Sequence, residues 1–243
     1  YGETTVNYNR DIEIFPVLNA IFEEIYGENP YKSPTDMGVN MAGNCIFDDE
    51  ACRYASNMEI LRRYYTSLNR LAREECQENE VLKIELIMKQ AKITRENRKV
   101  VPAANDRARE LSVPCAAIEL ADGTVITGKT SDLLGASAAV LLNALKTLAG
   151  IPDEVHLIAP EVIVPIQSLK TDYLGSKNPR LHTDEVLIAL SMCTNRDENA
   201  RRAMDMLPQL AGCQVHTSVM LSAVDIKVFK KLKMMLTSEP VRG

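Results

Sequence analysis

The sequence predicts an α+β protein in which an N-terminal helical subdomain, residues 1–111, precedes an α/β/α subdomain with a mixed sheet, residues 112–243. Up to about residue 111 the apolar side chains recur at helical spacing, and no run alternates as a half-buried strand would. Beyond Ser112 the chain contains short runs rich in β-branched residues, separated by helical segments. This succession is typical of a sheet that carries helices on its faces.

Amphipathic segments account for most of the predicted helical subdomain. Helices are expected at residues 11–26, 48–75, 78–91 and 102–111. The polar segment 28–45, ENPYKSPTDMGVNMAGNC, has no periodicity and is predicted to be a loop. Loops on rigid elements often hold ligands, although the composition of this one also fits a solvated connection.

The second subdomain is predicted to follow the order β-β-α-β-α-α-α-β-α-β. Its strands are expected at residues 116–120, 124–127, 155–159, 213–220 and 234–238. The dipeptide Asp122-Gly123 lies between the first two strands and is a strong signal for a hairpin turn. A second polar loop, KTDYLGSKNPRLHTD at residues 170–184, precedes a helix that Thr183 or Asp184 is placed to cap.

One string matches the phosphate-loop pattern G-x-x-x-x-G-K-[ST]: the residues from Gly123 to Thr130, GTVITGKT. A phosphate loop needs small residues that let backbone N–H groups curl around an anion, with a helix directly behind them. Here the four variable positions are Thr, Val, Ile and Thr, which are β-branched and favour an extended backbone. We therefore interpret this string as the second strand of a hairpin.

Composition and charge argue against two classes of partner. Hydrophobic residues make up 46% and charged residues 25% of the chain, as in ordinary globular proteins. The net charge of −5 argues against a nucleic-acid surface, and no apolar run approaches the roughly 20 residues that a membrane-spanning helix needs. The six cysteines contain no C-x-x-C pair, so we expect reduced thiols and a cytoplasmic protein.

The predicted order of hairpin, helix, strand and proline-initiated helix resembles the cytidine-deaminase-like fold. The zinc enzymes of that fold need His or Cys followed by Glu on the first helix and P-C-x-x-C on the next. The corresponding segments here are Gly135-Ala-Ser-Ala-Ala-Val140 and Pro165-Ile-Gln-Ser-Leu169, which contain no such ligand. We therefore expect the topology without zinc ligands and no metal site, and the sequence identifies no cofactor.

His182 lies in a loop that combines a titratable group with three cations and the start of a helix. The cations are Lys170, Lys177 and Arg180, and Asn178 adds an amide. This composition is typical of an anion-binding site, although a surface loop that caps a helix would have the same features.

Two strings, YNRDIEIFPVLNAIFEEIYGENPYKSPTDMGVNMAGN and PIQSLKTDYLGSKNPRLHTDEVLIALSMC, are similar to the bacterial uncharacterised protein family 0371. The resemblance runs essentially from Tyr1 to Pro240. Members are longer proteins, so the resemblance implies that this chain is a C-terminal half, as does the absence of an initial methionine. It also implies a helical subdomain followed by an α/β subdomain of deaminase-like topology, and it carries no activity with it.

Two hypotheses follow for function. In the first, the chain binds a nucleotide or another phosphorylated small molecule together with a missing N-terminal half, and His182 or Asp36 transfers a proton. The predicted ligand-binding residues are Lys32, Ser33, Thr35, Asn40, Lys170, Lys177, Asn178 and Arg180. In the second, the chain is a non-catalytic interaction module that forms homo-oligomers. Neither hypothesis includes nucleic acid or a membrane as a partner.

Overall fold

A computed structural model of the protein describes residues 9–28 and 49–242. The chain forms two compact units, residues 1–98 and residues 99–243. In the first unit the helices are α1 (Asn9–Tyr26), α2 (Asp49–Ala72) and α3 (Glu78–Gln90). A short 3-10 helix, Arg95–Asn97, follows α3.

The core of the first unit forms where α2 packs against α3. Each helix buries one apolar stripe, because residues three and four apart lie on the same face. The buried residues are Met58, Ile60, Leu61, Tyr64 and Tyr65 on α2 and Val81, Ile84, Ile87 and Met88 on α3. Tyr64 also donates to Glu85 at 3.2 Å and accepts from Arg95, so this hydroxyl is satisfied at the edge of the core.

The second unit is built on a four-stranded mixed sheet with the order β2-β1-β3-β4. The strands are β1 (Cys115–Glu119), β2 (Val125–Lys129), β3 (Gln214–Thr217) and β4 (Met235–Ser238). Strand β1 is antiparallel to both neighbours, and β3 is parallel to β4. Its helices are α4 (Val100–Leu111), α5 (Ala136–Leu148), α6 (Pro160–Ser168), α7 (Thr183–Cys193), α8 (Glu198–Asp205) and α9 (Ala223–Lys231).

Helices cover both faces of the sheet. On one face, α5 packs against β1 and β2 over a core that includes Ile118 and Leu141. On the other face, Val100 and Ala104 of α4 pack against Ala117. Alternate residues of β1 point to opposite faces, so one strand serves both cores. We expected α4 to end the helical subdomain at residue 111, whereas its contacts place it in the second unit and the division falls after residue 98.

The string that matches the phosphate loop forms a hairpin. Gly123 occupies the turn with φ of +85°, and its N–H donates to the carbonyl of Leu120 at 2.9 Å. The residues that follow form β2, so the interpretation of this string as a strand is confirmed. Gly128 lies so close to α5 that a Cβ at this position would be 2.2 Å from the backbone nitrogen of Val140. Glycine therefore sets the distance between helix and sheet.

One predicted strand is absent. Residues 155–159 form no strand and contain a bend at Leu157 and Ile158, although these two residues are buried in the core as a strand would bury them. A short apolar run between Pro152 and Pro160 is compatible with a strand or with irregular structure, because the run is too short for its periodicity to distinguish them. The order of the described elements between β1 and β4 is therefore β-β-α-α-α-α-β-α-β. Among the described helices, none is long and apolar enough to cross a membrane.

Candidate functional site

A cavity of about 410 Å³ lies at one edge of the sheet. The start of β1 and the ends of β2 and β3 meet at this edge, because β1 runs antiparallel to both. The N-terminal ends of α5, α7 and α9 reach the same place, with Gly135, His182 and Ser222 as their N-caps. The cavity is lined by Pro114, Thr130, Gly135, Ala136, Ser137, residues 177–182, Thr217, residues 219–222 and Asp225.

The polar loop before α7 is fixed to the segment before α5 by backbone hydrogen bonds. The N–H of Leu181 donates to Leu133 at 2.9 Å, and the N–H of Gly135 donates to Leu181 at 3.3 Å. The guanidinium Nε of Arg180 donates to the carbonyl of Ser131 at 2.7 Å. These contacts join the loop before α7 to the segment before α5, so two parts of the cavity lining are held together.

His182 and Asp225 form a pair on the cavity wall. The imidazole Nδ1 lies 3.1 Å from Oδ2 of Asp225, and the side chain of His182 is 35% exposed whereas that of Asp225 is 5% exposed. Asp225 also accepts from the N–H and hydroxyl of Thr183, at 3.0 and 2.9 Å, and from the hydroxyl of Ser222 at 2.7 Å. The buried carboxylate thus joins the first turns of α7 and α9.

These contacts shift the pKa values of both partners. Burial alone would raise the pKa of Asp225, but the hydrogen bonds from His182, Thr183 and Ser222 outweigh it and lower the pKa from 3.8 to about 2. The hydrogen bond to Asp225 raises the pKa of His182 above its ordinary 6.5, against the opposing effect of burial. Asp225 is therefore ionised near neutral pH, and it favours the protonated form of His182.

The structure separates the predicted cations into two roles. Lys177, Asn178 and Arg180 line the cavity together with His182, and their binding of an anion stays a prediction. Lys170 does not line it: this residue is 6% exposed in a π-helical turn, Leu169–Tyr173, and its ammonium donates to the carbonyl of Arg180 and to Glu185, both at 2.6 Å. The donors of Lys170 are thus used to hold the loop.

Replacing Lys170 by methionine should destabilise the protein, because Glu185 and the carbonyl of Arg180 would lose a buried donor. We expect a loss of about 2 kcal/mol in the free energy of unfolding, measured by urea denaturation. Lys177→Met is the control: Lys177 is exposed, so its replacement should change stability by less than about 0.5 kcal/mol. Equal effects of the two substitutions would contradict the structural role of Lys170.

The candidates of the first polar loop lie outside the described residues. These are Lys32, Ser33, Thr35, Asp36 and Asn40.

Sequence reasoning missed Asp225 and Ser222. Their spacing, Ser222-Ala-Val-Asp225, is the S-x-x-D signature of a capped helix start, and Ser222 does accept from the N–H of Asp225 at 3.2 Å. That signal predicts a cap. It does not predict that the same carboxylate reaches His182, which lies 43 residues earlier in the chain.

Metal ligands are not grouped in the part of the chain that the structure describes. Within it, no three His, Cys, Asp or Glu side chains lie close enough together to hold an ion. The first turn of α5 contributes Ala136, Ser137 and Ala138, none of which is a zinc ligand of the deaminase pattern. The cavity is lined by a hydrogen-bonded His–Asp pair, by two basic side chains and by helix N-termini.

Comparisons with known proteins identify the family. The profile described as "Domain of unknown function DUF1846, C-terminal" matches residues 96–242, and the one described as "Domain of unknown function DUF1846, N-terminal" matches residues 1–92. This chain belongs to the DUF1846 family. The resemblance to family 0371 is confirmed, with one correction to the expected C-terminal half: residues 1–92 match the profile of the N-terminal domain.

Several curated relatives are similar over nearly the whole chain. A UPF0371 protein of Corynebacterium aurimucosum is 56% identical over 241 residues, which cover 99% of this chain and 48% of that protein. One from Corynebacterium diphtheriae is 55% identical over 240 residues, with the same shares covered. One from Streptococcus thermophilus is 52% identical over 240 residues, 99% of this chain and 49% of that protein. The chain thus spans about half the length of these relatives.

Proposed function

We propose that the second unit is the acid–base site of an enzyme that acts on a small phosphorylated molecule, a class that includes nucleotides. The observation that carries this proposal is the pair of His182 and Asp225 on the wall of a cavity that Lys177 and Arg180 also line. A cavity of about 410 Å³ is in the usual range for small-molecule sites.

The pair has the geometry of a general acid–base group. Because Asp225 is ionised, Nδ1 of His182 carries the proton of their hydrogen bond, and the carboxylate fixes both the tautomer and the ring orientation. In the neutral ring Nε2 is then the basic nitrogen, and it makes no hydrogen bond to any residue of the described ranges. His182 would take a proton from a bound molecule at Nε2 or return one to it.

The charges on the cavity wall favour an anion. Lys177 and Arg180 contribute two basic side chains, and protonated His182 adds a third positive charge. Asp225 contributes one negative charge, but its oxygens are occupied by Thr183, Ser222 and His182. Because the pKa of His182 is raised, its charge is present below that pKa and is lost as the pH rises through it. We therefore expect anion affinity to fall over the same range.

Replacing His182 by glutamine should lower turnover much more than ligand affinity, because Lys177 and Arg180 still line the cavity. A thermal-shift screen of nucleotides and sugar phosphates would first identify ligands that raise the unfolding temperature. Conversion of each such ligand would then be followed by phosphorus and proton NMR. We expect His182→Gln to lower kcat by roughly 100-fold or more, since general acid–base groups contribute about 10²–10⁴ to the rate.

His156→Gln is the matched control, because His156 is an exposed histidine of the same unit that does not line the cavity. It should leave kcat unchanged. Stabilisation by no member of the screen, or turnover by His182→Gln at the wild-type rate, would contradict the proposal.

A second candidate function is the non-catalytic interaction module. Exposed apolar side chains on α6 and the π-helical turn favour it: Val164, Leu169, Tyr173 and Leu174 are 53, 51, 81 and 70% exposed. Homo-oligomers or the remaining half of the longer relatives would then be the partners. Light scattering of this chain, alone and with that half, distinguishes this candidate from a self-contained site.

Two further expectations, the deaminase-like topology and the cytoplasmic location, remain proposals. The deaminase-like topology is supported by the opening hairpin, by α5 and by Pro160 at the start of α6, although residues 155–159 form no strand between them. A cytoplasmic location is supported by the unpaired thiols of Cys76, Cys115, Cys193 and Cys213.

A further inference from the structure

We propose that the first turn of α5 binds the phosphate group of the ligand. The oxyanion seat comprises residues 135–138, with the N–H groups of Ala136, Ser137 and Ala138 and the hydroxyl of Ser137 as donors. This proposal rests on the proposed function and specifies its substrate class, a phosphomonoester of a small metabolite.

The N-terminus of α5 differs from those of the other two helices that meet at the cavity. In α9, the hydroxyl of Ser222 accepts from the N–H of Asp225. In α7, Asp225 accepts from the N–H of Thr183, and Glu185 accepts from the N–H of His182 at 2.8 Å. The N-cap of α5 is Gly135, which has no side chain to accept a bond. Ala136, Ser137 and Ala138 donate their N–H groups to no acceptor in the described part of the chain.

The hydroxyl of Ser137 provides an independent indication of a ligand. The residue is 5% exposed and lines the cavity, and its hydroxyl has no hydrogen-bond partner among the described residues. A helical serine often donates to the carbonyl four residues earlier. Here that carbonyl, of Leu133, instead accepts from the N–H of Leu181 at 2.9 Å. The hydroxyl is therefore available to donate to a group bound in the cavity.

Small side chains leave the backbone of the seat accessible. Gly135, Ala136 and Ala138 carry at most a methyl group, and a Cβ on Gly135 would lie 4.0 Å from the hydroxyl of Ser137. Backbone N–H groups at a helix start, reached past small residues, bind a tetrahedral oxyanion with several short hydrogen bonds. Such a group carries up to two negative charges, which Lys177 and Arg180 on the facing loop would complement.

The size of the cavity limits the rest of the ligand. A volume of about 410 Å³ accommodates a phosphate group together with a sugar or a similar small body. With the phosphate on α5, the remainder of the ligand would extend toward His182, which lines the same cavity. The seat would therefore position the group on which His182 acts.

The test is an amide NMR titration of this chain with inorganic phosphate. We expect saturable shifts of the amide signals of Ala136, Ser137 and Ala138. Ser137→Ala removes one donor to a charged group and should weaken binding by roughly 3- to 10-fold. Ser137→Asp places a carboxylate in the seat and should abolish binding, while a negative charge at a helix start is compatible with a folded helix.

Ser191→Asp is the control for added charge, because Ser191 is an exposed residue in the last turns of α7 and does not line the cavity. It should bind phosphate as the wild type does. His182→Gln should also retain the shifts at residues 136–138, since the seat does not depend on acid–base chemistry.

Three outcomes would overturn the proposal. In the first, phosphate perturbs the side-chain signals of Lys177 and Arg180 without any shift at residues 136–138; in the second, it causes no shift at all. In either case the turnover of the His182→Gln variant would still test the proposed acid–base function separately. Shifts at residues 136–138 that persist unchanged in Ser137→Asp would identify an adventitious effect of ionic strength and would also overturn the proposal.

Discussion

Replacing Asp225 by alanine should destabilise the protein by roughly 3–5 kcal/mol, the range found when one partner of a buried charged network is removed. The side chain of Asp225 is 5% exposed, and its carboxylate accepts from His182, Thr183 and Ser222. Thr183 is fully buried, so its N–H and hydroxyl would be left without an acceptor. Urea denaturation measures the loss, with Asp132→Ala, at an exposed position, as a control that should change stability by less than about 0.5 kcal/mol.

The milder substitution Asp225→Asn removes the negative charge and keeps the size of the side chain. The folded protein lowers the pKa of Asp225 from 3.8 to about 2, so the stability that this shift contributes is present above about pH 4 and is lost as the pH falls toward 2. The shift corresponds to roughly 2 kcal/mol. The stability difference between wild type and Asp225→Asn should therefore shrink between about pH 4 and about pH 2. A difference that stays constant over this range would contradict an ionised, hydrogen-bonded Asp225.

The same substitution should change His182. Its raised pKa depends first on the hydrogen bond to Asp225, so Asp225→Asn should lower that pKa in an NMR titration of the imidazole. An unchanged titration would show that the pair is not coupled, whatever the effect on stability.

Replacing Gly128 by alanine should cost more than about 3 kcal/mol or prevent folding of the second unit, since overpacking against an immovable group is among the largest single-residue effects. The added Cβ would lie 2.2 Å from the nitrogen and 2.6 Å from the Cα of Val140, and 2.8 Å from the carbonyl carbon of Ala139. These are backbone atoms of α5, so the clash can be relieved only if the whole helix moves away from β2. The loss of stability would come from this steric clash and not from backbone strain, because Gly128 has the backbone conformation of an ordinary strand residue.

Gly135→Ala is the matched control for Gly128→Ala. Its Cβ would meet nothing nearer than the carbonyl oxygen of Leu181 at 3.8 Å, so stability should change by less than about 1 kcal/mol. Thermal and urea unfolding of both variants provide the comparison. A Gly128→Ala protein as stable as Gly135→Ala would mean that α5 does not pack on β2 as closely as the structure has it.

The loop that contains His182 shows how far composition predicts a site. Lys177, Asn178, Arg180 and His182 share one short polar segment, so their proximity follows from the chain itself, and the structure places all four on one cavity. Lys170 has the same composition-based signal, yet it lies in the π-helical turn and its ammonium is buried. Composition cannot separate a cation that faces a cavity from one that ties a loop to its scaffold.

The sequence by itself determined the kinds of element and much of their order. Asp122-Gly123 predicted the hairpin, and the β-branched residues after it predicted a strand in place of a phosphate loop. The sequence could not determine whether residues 155–159 form a strand, because the burial of Leu157 and Ile158 is equally compatible with a bend. Nor could it assign α4 to the sheet, since an amphipathic stripe does not specify its partner.

The tertiary structure alone decided which helix ends meet. Asp225 reaches His182 across 43 residues because β1 runs antiparallel to β2 and β3, which brings the starts of α5, α7 and α9 to one edge of the sheet. Strand order and direction depend on long-range packing, whereas propensity and periodicity are local. The candidate site thus depends on long-range packing that brings together helix starts distant in the sequence.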